Sequence, residues 1–319
     1  MKTDEDDDWD DFLREGEEIL KEQCRLKDLR RIRPVPGGIV NRASVYDSLT
    51  GHVFVKYSKR SNAVDMFESE RAGLDAIHNA SLLRVPRPGK VVRHPSGGAM
   101  FVMEYLDALQ PMTSSWSELG SGVAKLHSNN RDKLAKNEGV AKFGHHRKTF
   151  YGPDFYTDPC WEDTWAEYFA RHLMRPQFEQ IQATSTASCF RDLWSELQLI
   201  LDIPFRTSPP PPSLIHGDFC TINIGQLGDD PVVFDPCCMF APNDFELTIP
   251  TRQGNFSQEF YSAYHDVIPR HENHNIRSLA HTTFAYLLIH NVVNSEESRS
   301  EAEAACRHLI GEIKMTQGK

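Results

Sequence analysis

The sequence predicts an α+β chain in two unequal parts, a small antiparallel sheet in the first third and a mostly helical body behind it. Three observations carry that expectation. Short apolar runs paired across turn residues, 43–47 with 52–57 and 90–92 with 99–103, crowd into the first third. Past residue 106 the apolar runs lengthen and take a helical period, as at 165–182, 187–203 and 278–294. Two short runs, 213–215 and 232–234, interrupt that helical body, and each leads straight into acidic and amide side chains.

Bulk properties narrow the classes. A chain of 319 residues holds one large or two medium domains with ample core. Its 39% hydrophobic and 25% charged residues are ordinary for a globular protein. A net charge of −10 argues against nucleic acid as a partner, which calls for a basic face. Residues 4–18 hold ten of the acidic residues and one Arg, a solvated tail running into a helix. No apolar run reaches the roughly 18–20 residues of a membrane span, so no membrane is expected. The acidic start resembles neither a signal peptide nor a transit peptide. Seven cysteines without CxxC spacing read as free thiols in a reducing, cytosolic setting, with zinc disfavoured.

Taken in order, residues 9–29 place Trp9, Phe12, Leu13, Ile19, Leu20, Leu26 and Leu29 among charges, an irregular amphipathic helix that Arg33-Pro34 should end. Gly37 and Gly38 form a turn before the first strand pair, where bare backbone can let amides approach phosphate oxygens. Lys56 ends the strand 53–56, and the helical run 66–77 sets Glu70 beside the buried stripe of Phe67, Leu74 and Ile77. A carboxylate there can reach a strand-end lysine, with Glu68 as the competing partner. Strand 99–103 runs into Glu104-Tyr105-Leu106, a chain leaving the sheet. The helix 119–127 carries His127, read as a packed or capping residue, and 128–142 reads as a polar loop. An aromatic stretch, 150–165, follows. Pro176 should interrupt the helix 165–182, and Pro209–Pro212 makes a stiff connector. Closing helices are expected at 256–267, 278–294 and 302–315. The division is then 1–32 (acidic tail and helix), 33–106 (sheet) and 107–319 (helical body).

The chain is organised around 214–236. Its first apolar run delivers His216, Gly217 and Asp218, with Asn223 five residues after the aspartate; its second delivers Asp235, followed by Pro236. The turn Gly228-Asp229-Asp230 should fold the second run back beside the first. Any one of these polar residues alone would suit a turn. Together they are what phosphoryl transfer requires: an Asp to receive a hydroxyl proton, and an Asn and an Asp to hold magnesium on nucleotide phosphates.

The Gly turn, Lys56, Glu70, Met103-Glu104-Tyr105-Leu106, His216-Gly217-Asp218 with Asn223, and Asp235-Pro236 resemble, in that order, the aminoglycoside-phosphotransferase-like branch of the kinase-like superfamily. Within it the chain looks most like the fructosamine kinases, also called ketosamine or protein-ribulosamine 3-kinases. Further pieces carry that resemblance: Lys142-Phe143-Gly144-His145, Trp161 and Trp165, Phe169-Ala170-Arg171-His172, Phe245-Glu246-Leu247, Ala263-Tyr264-His265 and Ile268-Pro269. It implies a bilobal protein-kinase-like fold and ATP and Mg2+ as cofactors. The implied substrate is a ketosamine, on glycated protein or on a small molecule, phosphorylated at its 3-hydroxyl so that the adduct falls off. By the same resemblance Asp218 is the base, Asn223 and Asp235 hold the metal, and Lys56, oriented by Glu70, takes the α- and β-phosphates. Gly37 and Gly38 cover the phosphates; Met103, Glu104 and Leu106 form the adenine hinge; His216 supports the loop. The departures lie where the acceptor should sit. The family's HGDLWxGN has Cys220 in place of Trp and Ile222 in place of Gly. Its Pro-Gln-x-Asn is Tyr156-Thr157-Asp158-Pro159, and its Tyr-Gly-His is Phe240-Ala241-Pro242. Two alternatives stand beside this reading: a kinase of another small hydroxylated metabolite, and a pseudokinase binding module.

Overall fold

Helix α1 (Asp4–Gln23) lays Phe12, Leu13 and Leu20 on the outer face of an antiparallel sheet, against Val55, Tyr57, Met100 and Val102. The computed structural model describes residues 4–317 apart from 37–40, 81–82, 153, 185–187, 207–208 and 254. Gly37 and Gly38 therefore lie outside the described residues. Among those described, five strands make the sheet, in the order β1-β2-β3-β5-β4: β1 (Arg30–Val35), β2 (Arg42–Asp47), β3 (Val53–Ser58), β4 (Pro88–Arg93) and β5 (Ala99–Glu104). Every neighbouring pair is antiparallel.

The helix expected over 9–29 stops at Gln23 instead. Arg25 and Asp28 take left-handed backbone, with φ of 57° and 54°, and this turns the chain into β1. Pro34, expected to end a helix, sits in this edge strand, where its missing N–H takes no ladder bond from a neighbour. The sheet's inner face packs on α2 (Ala63–Ala80), with Phe67, Leu74 and Ile77 against Val85, Phe101 and Met103. Strand alternation decides where Lys56 points. Val55 and Tyr57 face α1, so Phe54 and Lys56 face α2.

Beyond the sheet, α3 (Trp116–Leu134) runs through much of the stretch expected to be a loop. Arg131 and Lys133 suit the negative end of a helix, and buried Asn130 is consumed by bonds to Val140 and to the Pro212 carbonyl. Short strands follow: β6 (Phe143–His145), β7 (Thr149–Phe150), β8 (Tyr156–Thr157) and β9 (Cys160–Glu162). The run around Pro176 does not break. It passes from α4 (Trp165–Tyr168) through a π-helical turn, Phe169–Met174, into α5 (Arg175–Thr184), with the proline in the first turn after the register change. Helices α6 (Ser188–Leu197) and α7 (Ile203–Arg206) replace the single helix expected over 187–203.

The central stretch pairs differently from the expectation. Strand β10 (Ser213–Ile215) does not take 232–234 as its neighbour. The turn at Gly228-Asp229 is too tight for that, and it joins β11 (Ile224–Leu227) to β12 (Asp230–Val233) as a local hairpin. Strand β10 pairs instead with β13 (Met239–Ala241), in a four-stranded sheet ordered β10-β13-β6-β9. Two short helices the periodicity does not reveal, α8 (Asn243–Glu246) and α9 (Thr248–Gln253), precede α10 (Gln258–Val267), α11 (His274–Val293) and α12 (Glu296–Gln317). No described helix is long and apolar enough to cross a membrane.

Candidate active site

Lys56 meets two carboxylates from different parts of the chain. Its Nζ donates to Glu70 Oε1 at 2.8 Å and to Asp235 Oδ1. Burial alone would pull this ammonium down, but Asp235 and Glu70 together hold it above the ordinary lysine range. Burial pushes Glu70 the other way, up to about 7, against the pull of Lys56. Glu68, the competing partner, is taken by Arg71 at 2.8 Å on the outer side of α2.

Strand β10 feeds the loop that carries Asp218. Gly217 has φ 87°, and a Cβ there would press into the Cys237 carbonyl, so glycine lets the two loops touch. His216 braces the backbone. Its Nε2 donates to the Phe234 carbonyl at 2.9 Å, its Nδ1 accepts the Asp218 N–H, and its carbonyl accepts the Cys237 N–H at 2.8 Å. Asn223, 5% exposed, donates Nδ2 to Asp218 Oδ2 at 2.7 Å and to the Asp218 carbonyl at 2.9 Å. Asp235 adopts φ 58°, a left-handed backbone that few non-glycine residues take, directly after the hairpin. Burial raises the Asp218 carboxyl, while His216 and the Asn223 bond work against the rise.

One functional carboxylate went unassigned in the sequence. Glu246, 2% exposed on α8, accepts the N–H of His216 and, at 3.0 Å, the N–H of Gly217. It holds the Asp218 loop by the backbone. Two residues earlier, Asp244 pairs with Arg277 of α11 at 2.6 Å, both buried. The available signal was two acidic residues flanking Phe245 in a segment otherwise packed with apolar side chains.

At the chain's exit from the sheet, Met103 is buried, and the Glu104 side chain is consumed by Arg84 at 2.6 Å and the Arg87 N–H at 2.9 Å. The Leu106 amide meets no acceptor among the described residues. A cavity of about 290 Å³ joins Lys56, Glu70, Asp218 and Asp235 to a wall of Phe150, Tyr151, Cys237, Ile249 and Leu288. The segment bearing Phe150 and Tyr151 also grips α2: Ser69 Oγ donates to the Lys148 carbonyl at 2.5 Å, and Lys148 pairs with Asp65 at 2.7 Å.

The departures from the family pattern fall in distinct places. Cys220 is 4% exposed, and burial pushes its thiol up to about 12, so it packs inward and lines no wall. Ile222, 69% exposed, stands out from the turn between Asp218 and Asn223. Trp161 and Phe240 form a partly exposed aromatic pair at 6.0 Å. Cys237 and Cys238 are buried thiols held well above their ordinary range by burial, which makes them packing groups.

The fold defines the class. It superposes on an aminoglycoside phosphotransferase, a thermostable mutant of APH(4)-Ia, with a TM-score of 0.60 at 14% identity over 93% of this chain and 98% of that one. A putative fructosamine-3-kinase from Haemophilus somnus 129PT is nearer, with a TM-score of 0.79 at 20% identity, covering 94% of this chain and 98% of that one. Sequence then narrows the class. The fructosamine kinase family model matches residues 13–312, and the chain belongs to that family. It is 34% identical to ketosamine-3-kinase of Mus musculus, over 85% of this chain and 92% of the mouse protein. It is 30% identical to a chloroplastic protein-ribulosamine 3-kinase of Oryza sativa subsp. indica, over 83% of this chain and 74% of the rice protein.

Proposed function

We propose that the protein transfers the γ-phosphoryl group of ATP to the 3-hydroxyl of a ketosamine, on a glycated lysine of a protein or on a small glycated amine, and so starts removal of the adduct. The observation that carries this reading is the convergence of Lys56, Glu70, Asp218 and Asp235 on one cavity, with Asn223 bonded to Asp218. Membership of the fructosamine kinase family and the names of the mouse and rice relatives support the ketosamine as acceptor.

In this reading residues 33–106 hold the nucleotide and residues 107–319 supply the base, the metal ligands and the acceptor site. Gly37 and Gly38 cover the phosphates, the Glu104 carbonyl and Leu106 amide take the adenine edge, and Met103 flanks it. Lys56 pairs with the α- and β-phosphates, trading Asp235 for phosphate oxygens while Glu70 keeps its place. The Asp235 carboxylate and Asn223 Oδ1 are hard oxygen donors that suit magnesium, which would neutralise charge on the phosphates. Asp218 accepts the proton of the attacking hydroxyl as that oxygen bonds phosphorus and ADP departs. The protein's contribution is alignment and charge compensation. A cytosolic setting belongs to the same reading, supported by seven free thiols.

A second acceptor class has an observation of its own: Ile222, 69% exposed, stands where the family carries glycine. Phosphate transfer to ribulosyl-lysine, fructosyl-lysine and unglycated amino sugars tests both. Turnover of a ketosamine at least tenfold above the amino sugars is expected; amino-sugar turnover alone would replace the acceptor, and nucleotide binding without turnover of any would leave a binding module.

A further inference from the structure

Glu246 is approached by a series of buried polar groups that phosphoryl transfer itself does not use. Asn243 Nδ2 donates to the Tyr264 hydroxyl at 2.9 Å, and that hydroxyl lies 2.8 Å from His127 Nδ1. A tyrosine has one proton to give, and Tyr264 has no other acceptor among its recorded bonds, so the proton goes to Nδ1. His127 then carries its own proton on Nε2. That atom faces Glu246 Oε2 at 3.5 Å, with the two side chains 0% and 1% exposed. The Nε2 is buried and makes no hydrogen bond among the described residues, so the Glu246 carboxylate is a polar neighbour and not a bonded acceptor in this structure. The donors thus run in one direction, from α8 through α10 to α3, and the last of them points its proton toward the carboxylate that takes the His216 and Gly217 amides.

From this geometry we infer that His127 is a positioning residue for phosphoryl transfer, which orients Glu246 and through it the backbone leading into Asp218. The inference rests on the kinase reading, because it takes Asp218 as the base. The physical ground is that Glu246 holds one amide on each oxygen, so the loop backbone follows any shift or turn of the carboxylate, and a polar neighbour beside Oε2 limits that movement. Any turn displaces both amides, and Asp218 is the next residue along. Displacements on the order of 1 Å at a reacting group lower rates by about a hundredfold. A histidine that merely filled space between α3 and α10 would leave those amides where they are.

Two substitutions separate the roles. His127→Asn retains an amide near the Nδ1 position but cannot reach Glu246, whereas His127→Gln can present an N–H close to the place of Nε2–H. In His127→Asn, kcat for a ketosamine should fall about 10- to 100-fold with the dissociation constant for magnesium AMP-PNP unchanged. His127→Gln should stay within about threefold of the parent on the same scale. In protein without acceptor, mass-spectrometric hydrogen exchange over residues 214–223 should accelerate in His127→Asn and not in His127→Gln. Equal losses in both variants, no loss in either, or nucleotide affinity falling in step with kcat would overturn the inference. Should His127→Asn fail to fold by its thermal midpoint, Tyr264→Phe takes its place, since it removes the proton that fixes the tautomer. Its kcat should drop and its exchange should rise; unchanged values of both would overturn the inference equally. If the parent phosphorylates no ketosamine while exchange follows the stated pattern, the kinase reading fails and the anchor stands.

Discussion

The two ends of the cavity are built to different standards. At the phosphate end each charged group has a named partner: Lys56 with Glu70 and Asp235, Asp218 with Asn223, and the loop amides with Glu246. At the other end, which the proposed function gives to the acceptor, the wall is Phe150, Tyr151, Cys237, Ile249 and Leu288. Lys56 and Glu70 are buried ions, and such a pair tolerates little change, because removing one member leaves the other buried without compensation. An apolar wall exchanges members at modest cost and discriminates weakly among polyols. Under the proposed function, the reaction depends on the first region and the choice of acceptor on the second.

The largest effect should come from breaking the first region at its centre. Asp218→Asn keeps the bond geometry to Asn223 but cannot take a proton, so kcat should fall about 10²- to 10⁴-fold with nucleotide affinity retained. Steady-state kinetics beside AMP-PNP titration checks both halves, and an unimpaired kcat would remove Asp218 as base. Next in size is the frame beneath both regions. Arg277→Met strands the buried Asp244 carboxylate, and denaturant unfolding should show a loss of about 3–5 kcal/mol. A loss under about 1 kcal/mol would mean that α8 is held by apolar packing instead.

A smaller effect sharpens the comparison through pH. Burial raises the Asp218 carboxyl, and the base works only when ionised. The rate should therefore decline as pH falls through a value above the aspartate norm of about 4, which a pH profile of kcat/KM reads directly. An acid limb at or below that norm would contradict the desolvation of the base by the loop around it. The smallest effect belongs to the acceptor end. Ile222→Gly should shift the acceptor KM by about 3- to 10-fold and leave the nucleotide KM alone, since one exposed apolar group in a binding lip changes affinity by roughly 1 kcal/mol. A matching shift in the nucleotide KM would show that the two regions are not separable at this position.

What was legible in the sequence follows the same physical line. The hairpin of β2 and β3 and the helix α2 have strong local periods, so Lys56 and Glu70 could be placed from spacing alone. Strand β1 was hidden because Arg30, Arg31 and Arg33 erase its alternation on an exposed edge. Strand β11 was hidden because Gly225 and Gln226 interrupt its apolar run, which sent the tight turn to the wrong partner. Helices α8 and α9 are four and six residues long, too short to display a period. Asp218, Asn223 and Asp235 stood out because they act through their side chains at fixed spacing. Glu246 did not, because it acts on main-chain amides that any sequence supplies.

The four-stranded sheet has one more consequence. Leu214 of β10 lies opposite Phe240, Phe240 opposite Gly144, and Gly144 opposite Trp161, so a single rung crosses all four strands. The glycine in the middle, at φ 126°, lets the strand lie against the Cys160 carbonyl, and the Phe240 and Trp161 rings meet at 6.0 Å. That rung starts four residues before Asp218 and ends at the aromatic pair. The aromatic pair is thus fastened to the strand that leads into Asp218. Divergence at Phe240 or Trp161 is heritable only when the rung re-packs without tilting β10. New acceptors would then be acquired in small coupled steps along this rung, not by free exchange of one side chain.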